Sequence, residues 1–503
     1  MAWQTMKDNG RIAYPACEVH EKLITFSTML NLKPEIVWKH FEELSDIPRC
    51  SGNEEGVRQY LLEVAREHGL QSRVDGAGNV LLSEAGEDHK PKAVLQSHID
   101  MVCEKNSSVE HDFETDPIEL TQEDGWLTAQ GTTLGADNGI GVALSLAVAT
   151  GSYDFGPFDY LFTVDEERGL NGAAGLDPEF LRADKLINLD SEEFGAFTVG
   201  CAGGGNTEIR LPLSYEETTA VEPVRINLSG LAGGHSGGDI DKGRANANKL
   251  LARLLDDLWE TEALQLVEIR GGDKHNAIPR ESTALVNIAG DPGNFEEQAR
   301  ERFSVLQKEY EETEENMALR VEVDPGVVDE VMTEESGRTA VGLLRALPNG
   351  VMAYDQKFES TVETSSNLAS VGMEGRQLRI LVSSRSSRGS KLESLRGRIS
   401  IIARAFGAAV EQDEAYPAWQ PDMDSKLLAE AETVFEELYG RSPEVRTIHG
   451  GLETGIIGEK VDGIEMLAVG PDIVNPHSPD ERVKVDSVRM FWEFLLKLLG
   501  SFA

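Results

Sequence analysis

A chain of 503 residues with 40% hydrophobic and 27% charged residues has the balance of a globular protein. It is too long for one ordinary core, so two or three domains are expected. A formal net charge of −41 would repel nucleic acid and anionic membranes, which excludes both as partners, and no stretch reaches the ~18 uninterrupted apolar residues of a membrane helix.

The four cysteines, Cys17, Cys50, Cys103 and Cys201, form no CxxC pair. Neither a disulfide scaffold nor a thiolate zinc site is therefore expected, and the usage suits a reducing cytoplasm. Any metal chemistry must use His, Asp and Glu. The acidic residues recur along the whole chain, which fits either a surface adapted to high salt, where self-repulsion is screened, or an ordinary acidic bacterial protein.

The N-terminus lacks a basic segment followed by an apolar stretch, so no export signal is expected there. Residues 1–29 read as a loosely attached extension, with Met29 an alternative start. From Pro34 to His68 the spacing of Val37, Phe41 and Leu44, then of Val57, Leu61, Leu62 and Val64, predicts two amphipathic helices. Ser51-Gly52-Asn53-Glu54-Glu55 reads as the cap of the second. Strands are expected at Asn79–Ser83 and Ala93–Leu95, the latter running into Ser97-His98-Ile99-Asp100. Small apolar residues over Gly139–Thr150 predict a helix buried on a sheet, and Tyr160–Val164 and Lys185–Leu189 read as buried strands ending in acids. Such alternation indicates an α/β domain.

The character changes at Cys201-Ala202-Gly203-Gly204-Gly205, which reads as a flexible junction. Alternating strands follow at Thr207–Leu213 and Val224–Leu228, then a charged helix over 294–316 and strands at Ala318–Val323 and Gln377–Ser383. A helical segment spans 391–411, and Tyr416-Pro417-Ala418-Trp419-Gln420-Pro421 reads as a return linker. The α/β pattern resumes from Ser425 and ends in an amphipathic helix, Asp486–Leu499. The expected organisation is an extension (1–29), an α/β catalytic domain in two parts (30–204 and 416–503), and an α+β lid inserted between them (205–415).

Several apolar strand patterns stop at a potential ligand: SHID (His98, Asp100), FTVDEERG (Asp165, Glu166, Glu167), INLDSEE (Asp190) and NPHSPDE (His477), joined by Asp137 in LGADNGIG. Strand ends of an open α/β sheet gather at one edge, where ligands bind. Carboxylates and imidazoles converging there need cations, and a two-metal site needs a bridging carboxylate. His98 and Asp100, at i and i+2, face one side, so Asp100 can orient the imidazole from behind. Each motif alone is weak, because a strand-end Asp is usually a cap or turn residue; together and in order they are specific.

The ordered set H-x-D, G-A-D-N-G, D-E-E-x-G, L-D-S-E and N-P-H-S resembles the M20 metallopeptidases. GGHSGGDIDKGRANANK (233–249), NAIPR (276–280), ETSSNLA (363–369) and HGGLETG (449–455) resemble their aminoacyl-histidine dipeptidase branch, and the likeness runs from about residue 30 to the end. The resemblance implies a zinc-peptidase-like mixed sheet flanked by helices, and two divalent ions, Zn²⁺ first with Mn²⁺ or Co²⁺ fitting the same donors. It implies that Asp137 bridges the ions, with His98 and Asp190 on one and Glu167 and His477 on the other. It further implies that Glu166 is the general base, Asp100 the partner of His98, and Asp137-Asn138 a cis peptide. Which of Glu166 and Glu167 does which job rests on the family pattern alone.

In the insert, His235 is the candidate to stabilise the oxyanion; without the family match it reads as a loop histidine on a Gly-rich turn. Asn276 and Arg385 are candidates for backbone and carboxylate recognition, since the Arg fork suits a carboxylate, although Arg385 also reads as a surface arginine. Glu453 is a candidate contact for a free amine or an imidazole. The expected activity is two-metal hydrolysis of short peptides, above all dipeptides ending in histidine, by a cytoplasmic protein that forms a homodimer. A related amidohydrolase acting on tripeptides, cysteinylglycine or N-acyl amino acids, and a non-catalytic peptide binder on the same fold, are the competing readings. A purely structural metal protein fits poorly, because such zinc sites close four ligands, commonly with Cys, around one ion.

Overall fold

A computed structural model describes residues 32–84, 90–218, 222–358 and 360–502. The extension over 1–29, with Cys17 and Met29, lies outside the described residues. Both expected N-terminal helices form, Glu35–Ser45 and Glu55–His68, each burying its apolar stripe: Val37, Phe41 and Leu44 in the first, Val57, Leu61 and Val64 in the second. The expected Ser51 cap does not form. Residue Glu54 holds the cap position without a side-chain cap bond, and the Ser51 hydroxyl donates to Asp100 Oδ2 at 2.7 Å.

Among the described residues, one mixed sheet of eight strands carries the α/β part. Its order across the sheet is Gln71–Val74, Val80–Ser83, Asp159–Thr163, Val94–His98, Lys185–Asn188, Glu465–Ala468, Ala196–Cys201 and Glu444–Ile448. Val94–His98 pairs parallel with both Asp159–Thr163 and Lys185–Asn188. All three therefore end at the same edge, which delivers His98, the turn after Thr163 and the turn after Asn188 to one place. Helix Ala136–Thr150 is buried on nearly every side, as expected of a small apolar helix against a sheet. The bond Asp137-Asn138 is cis, and both residues depart from helical angles, so regular helix begins at Gly139.

A second, antiparallel sheet runs in the order Ala318–Val323, Glu222–Ser229, Ser282–Ile288, Leu264–Gly271, Val362–Glu374, Gln377–Ser386, Gly203–Pro212 and Ala409–Gln412, with Gly350–Tyr354 beside Val362–Glu374. It packs on helices that include Ala247–Trp259, Pro292–Glu309 and Gly389–Ala405. Two expected helices end early. The charged one stops at Glu309, and the one read over 391–411 gives way after Ala405 to the strand Ala409–Gln412.

Two hydrophobic clusters follow this division. One draws on residues between Leu32 and Val199 and between Leu427 and Phe502, the other on residues between Ile209 and Ala408. The expected α/β part interrupted by an α+β insert is thus present.

The junction at 201–205 is not flexible. Cys201 and Trp419 exchange backbone hydrogen bonds at 3.1 Å each way, and Gly204 and Tyr416 exchange two more at 3.2 and 2.9 Å. A Cβ on Gly203 would lie 2.6 Å from the Tyr416 carbonyl oxygen. The glycines therefore serve close backbone approach between the outgoing and returning chain, not mobility.

Cysteine usage needs a second correction. Cys50 and Cys103 form a disulfide, with Cα atoms 5.7 Å apart and a sequence separation of 53. The absence of a CxxC spacing gave no hint of it, because the pair is created by the parallel bridge of Cys50 to Met101.

Candidate functional site

The strand Val94–His98 is buried along its whole length and delivers His98 to the sheet edge at 1% exposure. The Nε2 atom lies 3.1 Å from Asp137 Oδ1 and 3.5 Å from Asp190 Oδ1. On the other side, His477 Nε2 lies 3.1 Å from Asp137 Oδ2 and 2.9 Å from Glu167 Oε2. The two oxygens of Asp137 thus face different imidazoles, with Asp190 beyond one and Glu167 beyond the other. This grouping matches the one implied for two ions sharing Asp137.

His98, Asp190 and the Glu166–Glu167 turn are held from behind. Asp100, with 0% exposure, places Oδ1 3.3 Å from His98 Nδ1. The same carboxylate accepts the backbone N–H groups of Glu166 and Glu167 at 3.1 and 3.2 Å, together with the Ser51 hydroxyl. It therefore aims both the histidine and the acidic turn. The Asn138 amide donates to Leu189 O at 3.2 Å and to Asp190 Oδ1, which fixes Asp190.

The electrostatics fit a cation site. Burial alone would raise the Asp137 pKa, yet His477 and His98 pull it well below the carboxylate range. Burial would lower His477, but Asp137 and Glu167 push it up to about 11. His98 is likewise raised against its burial, by Asp190, Asp100 and Asp137. The two imidazoles stand where positive charge is demanded. Burial, then Asp137, raises the carboxyl of Glu167, whose Oε1 is buried without a hydrogen-bond partner. A buried carboxylate oxygen left unpaired is costly, and it has an outlet in metal ligation. His98, Asp137 and Glu167 each offer a ligand atom within 4.8 Å of the others. This donor set of imidazole and carboxylate suits Zn²⁺.

Glu166 differs from its neighbour. Its pKa is raised well above the usual range by burial, with Glu167, Asp190 and Glu453 adding to the shift against His98. A carboxyl so placed takes up a proton readily, which is what a general base must do.

The second sheet brings further candidates. The His235 backbone bridges to Ala277, and Ser236 N–H donates to Asn276 O at 2.7 Å, so the His235 and Asn276 loops form one unit. Gly238 N–H donates to His235 Nδ1 at 3.2 Å. Nδ1 is therefore the acceptor and Nε2 carries the proton of the neutral ring. Desolvation, then the charges of Arg385 and His477, push the His235 pKa down to about 4. The residue as a whole stays exposed, and the charges it senses are those of Arg385 and His477.

Arg385 is not a surface arginine. It is 8% exposed and donates to the Tyr416 hydroxyl at 2.9 Å. Beside it, His449 Nε2 lies 2.7 Å from Ser365 Oγ, with its pKa pushed down to about 3 by burial and Arg385.

Glu453, expected at the substrate, is fully buried instead. Gln96 and Thr163 both donate to its Oε2 at 2.6 Å, beneath the ligand-bearing strands. Burial lifts its pKa to about 7. Through Oε2 it braces the strands that carry Gln96 and Thr163.

Three residues with roles in this geometry escaped the sequence reading: Ser51, read as a cap, Tyr416, read as linker, and Glu481. The last stands in the quoted NPHSPDE string, where only His477 was weighed.

Comparison with known proteins identifies the family. The model of "Peptidase family M20/M25/M40" matches residues 94–501. The chain is 38% identical over 480 residues to the cytosol non-specific dipeptidase of Escherichia coli (strain K12), covering 94% of this chain and 99% of that one. The crystal structure of aminoacylhistidine dipeptidase from Vibrio alginolyticus superposes with a TM-score of 0.79 at 38% identity, over 95% of this chain and 99% of that one. A tripeptidase from Staphylococcus aureus, 16% identical with a TM-score of 0.53 over 93% of this chain and 98% of its own, shares the fold. The resemblance expected from the strand-end motifs is borne out, and the chain belongs to peptidase family M20/M25/M40.

Proposed function

We propose that this peptidase hydrolyses dipeptides, those ending in histidine foremost, with two divalent cations sharing Asp137. His98 and Asp190 would hold one ion, and Glu167 and His477 the other. The observation that carries this reading is Asp137 itself, each of whose oxygens lies 3.1 Å from a different imidazole. Zn²⁺ is the leading ion, and Mn²⁺ or Co²⁺ suit the same donors. When bound, such a pair acidifies a water to a pKa near ~7 and polarises the scissile carbonyl.

This chain's residues supply the rest. Glu166 takes the proton of the attacking water as its oxygen bonds to the carbonyl carbon, then passes it to the amine nitrogen as the C–N bond breaks. Asp100 holds the His98 ring and the Glu166–Glu167 backbone still. His235, neutral with Nε2–H free, donates to the developing oxyanion. Arg385, steadied by Tyr416, takes the terminal carboxylate with Asn276 alongside. The insert over 205–415 acts as the lid on the two-part catalytic domain (30–204 and 416–503), excluding bulk water when it closes.

The dipeptidases of E. coli and V. alginolyticus support the substrate class, and the "non-specific" in the former's name favours acceptance beyond histidine. Its cytosolic description supports a cytoplasmic location. Among the described residues no helix is long and apolar enough to cross a membrane. A homodimer is the assembly we favour, through the open edge strand Ala318–Val323, whose Val323 is 53% exposed.

The test is a side-by-side assay of Ala-His, β-Ala-His, Gly-Gly-Gly and N-acetyl amino acids, before and after chelation. Ala-His should be cleaved fastest, and chelation should remove the activity until Zn²⁺ is returned. Preference for N-acetyl amino acids, or activity indifferent to chelation, would refute the reading.

A further inference from the structure

We propose that Glu481 is a positioning residue that sets the distance between the bridging carboxylate and the His477 side of the site. The inference rests on reading Asp137 and His477 as ligands. Glu481 is 1% exposed, and both its oxygens are spent on one turn. Oε2 accepts the N–H groups of Leu134 and Gly135 at 2.8 and 2.9 Å, and Oε1 accepts that of Asp137 at 3.2 Å. Three backbone donors on one buried carboxylate are more than a fold needs to close a loop. They grip the residues that aim Asp137.

The other end of Glu481 is equally fixed. Its N–H donates to Ser478 O at 3.0 Å, and its carbonyl accepts the Thr128 hydroxyl at 2.8 Å. The stretch from Ser478 to Glu481, directly after His477, is therefore closed by its own hydrogen bond and tied by the Glu481 side chain to the Asp137 turn. Arg49, 3% exposed, completes the frame: its guanidinium donates to the carbonyls of Gly135, Ile99 and Asp100. The turn is thus held through its N–H groups by Glu481 and through its carbonyl by Arg49, which also fixes the chain just after His98.

The chemistry is specific to a carboxylate. All partners of the Glu481 carboxylate are donors, so an amide of the same shape would set its NH₂ against a backbone N–H. Glu481→Gln should therefore act as a disruption rather than a conservative change.

The experiment is Zn²⁺ titration of the metal-free parent and of Glu481→Gln against a chromophoric chelator, with folding checked by circular dichroism. Loss of a residue that orients ligands from behind typically weakens metal binding by about 10–100-fold, and that is the expected result, with activity partly restored by excess Zn²⁺. If Glu481→Gln does not fold, Glu481→Asp, which keeps the charge but falls short of the turn, is read in the same titration and should weaken binding by roughly tenfold, at the low end of that range. A folded variant that binds Zn²⁺ within twofold of the parent, even with a lowered Tm, overturns the proposal and leaves Glu481 a purely structural residue. A parent that takes up no Zn²⁺ overturns the metal reading itself, and this inference with it.

Discussion

Glu166→Gln should lower kcat by about 10²–10⁴-fold, the usual worth of a placed general base, while KM and metal content stay close to the parent's. The geometry separates the two neighbouring glutamates. Glu167 Oε2 lies 2.9 Å from His477 Nε2, inside the ligand cluster, so its loss should empty part of the site. Glu166 shares the backbone anchor on Asp100 but contributes no such contact, and burial raises its proton affinity. A Gln keeps the shape and removes the basicity, so the deficit should lie in the chemical step. Steady-state kinetics with Ala-His, together with metal analysis of the same preparation, decides the matter. A variant that keeps its metal and turns over at the parental rate removes Glu166 from the mechanism, and one that loses metal exchanges the roles of the two glutamates.

Asp137→Ala should be the most damaging single change to metal binding. Each oxygen faces a different imidazole, so its loss strips a ligand from both ions at once. The affinity for each should fall by more than the ~100-fold upper range seen when only a supporting residue is lost. Asp190→Ala or Glu167→Ala touches one side only and should leave one ion bound more tightly than the other. Mass-spectrometric metal analysis after dialysis gives the comparison: near-complete loss for Asp137→Ala, partial loss for the one-sided variants. Equal, partial losses in all three would mean that Asp137 does not bridge.

The candidate ligand residues were legible because each of His98, Glu167 and Asp190 stands where an apolar run stops, and parallel strands of one sheet stop together. The residues that hold them were not, because their partners lie far away in sequence. Ser51 obeys a local capping rule in the sequence, but 49 residues on, Asp100 offers its hydroxyl a better, buried acceptor. Glu453 sits in a Gly-rich string that reads as a loop, yet it opens the helix Glu453–Lys460 and is pressed beneath the sheet by contacts to Gln96 and Thr163.

Gly203 and Gly204 look like a hinge by composition, and only the returning chain at Tyr416 shows why a side chain is excluded there. The Cys50–Cys103 bond depends on a bridge between segments 53 residues apart, which no spacing rule reveals. In the insert, Ser282–Ile288 and Val362–Glu374 went unread. The second of these is rich in Ser, Thr and Asn, and it is buried through pairing with Gln377–Ser386 rather than through apolar alternation.

Anomalous diffraction from Zn²⁺-loaded crystals tests the account most directly. Two peaks about 3.5–4 Å apart should flank Asp137, one against His98 and Asp190 and the other against Glu167 and His477. A single peak, or a pair lying away from Asp137, would contradict it.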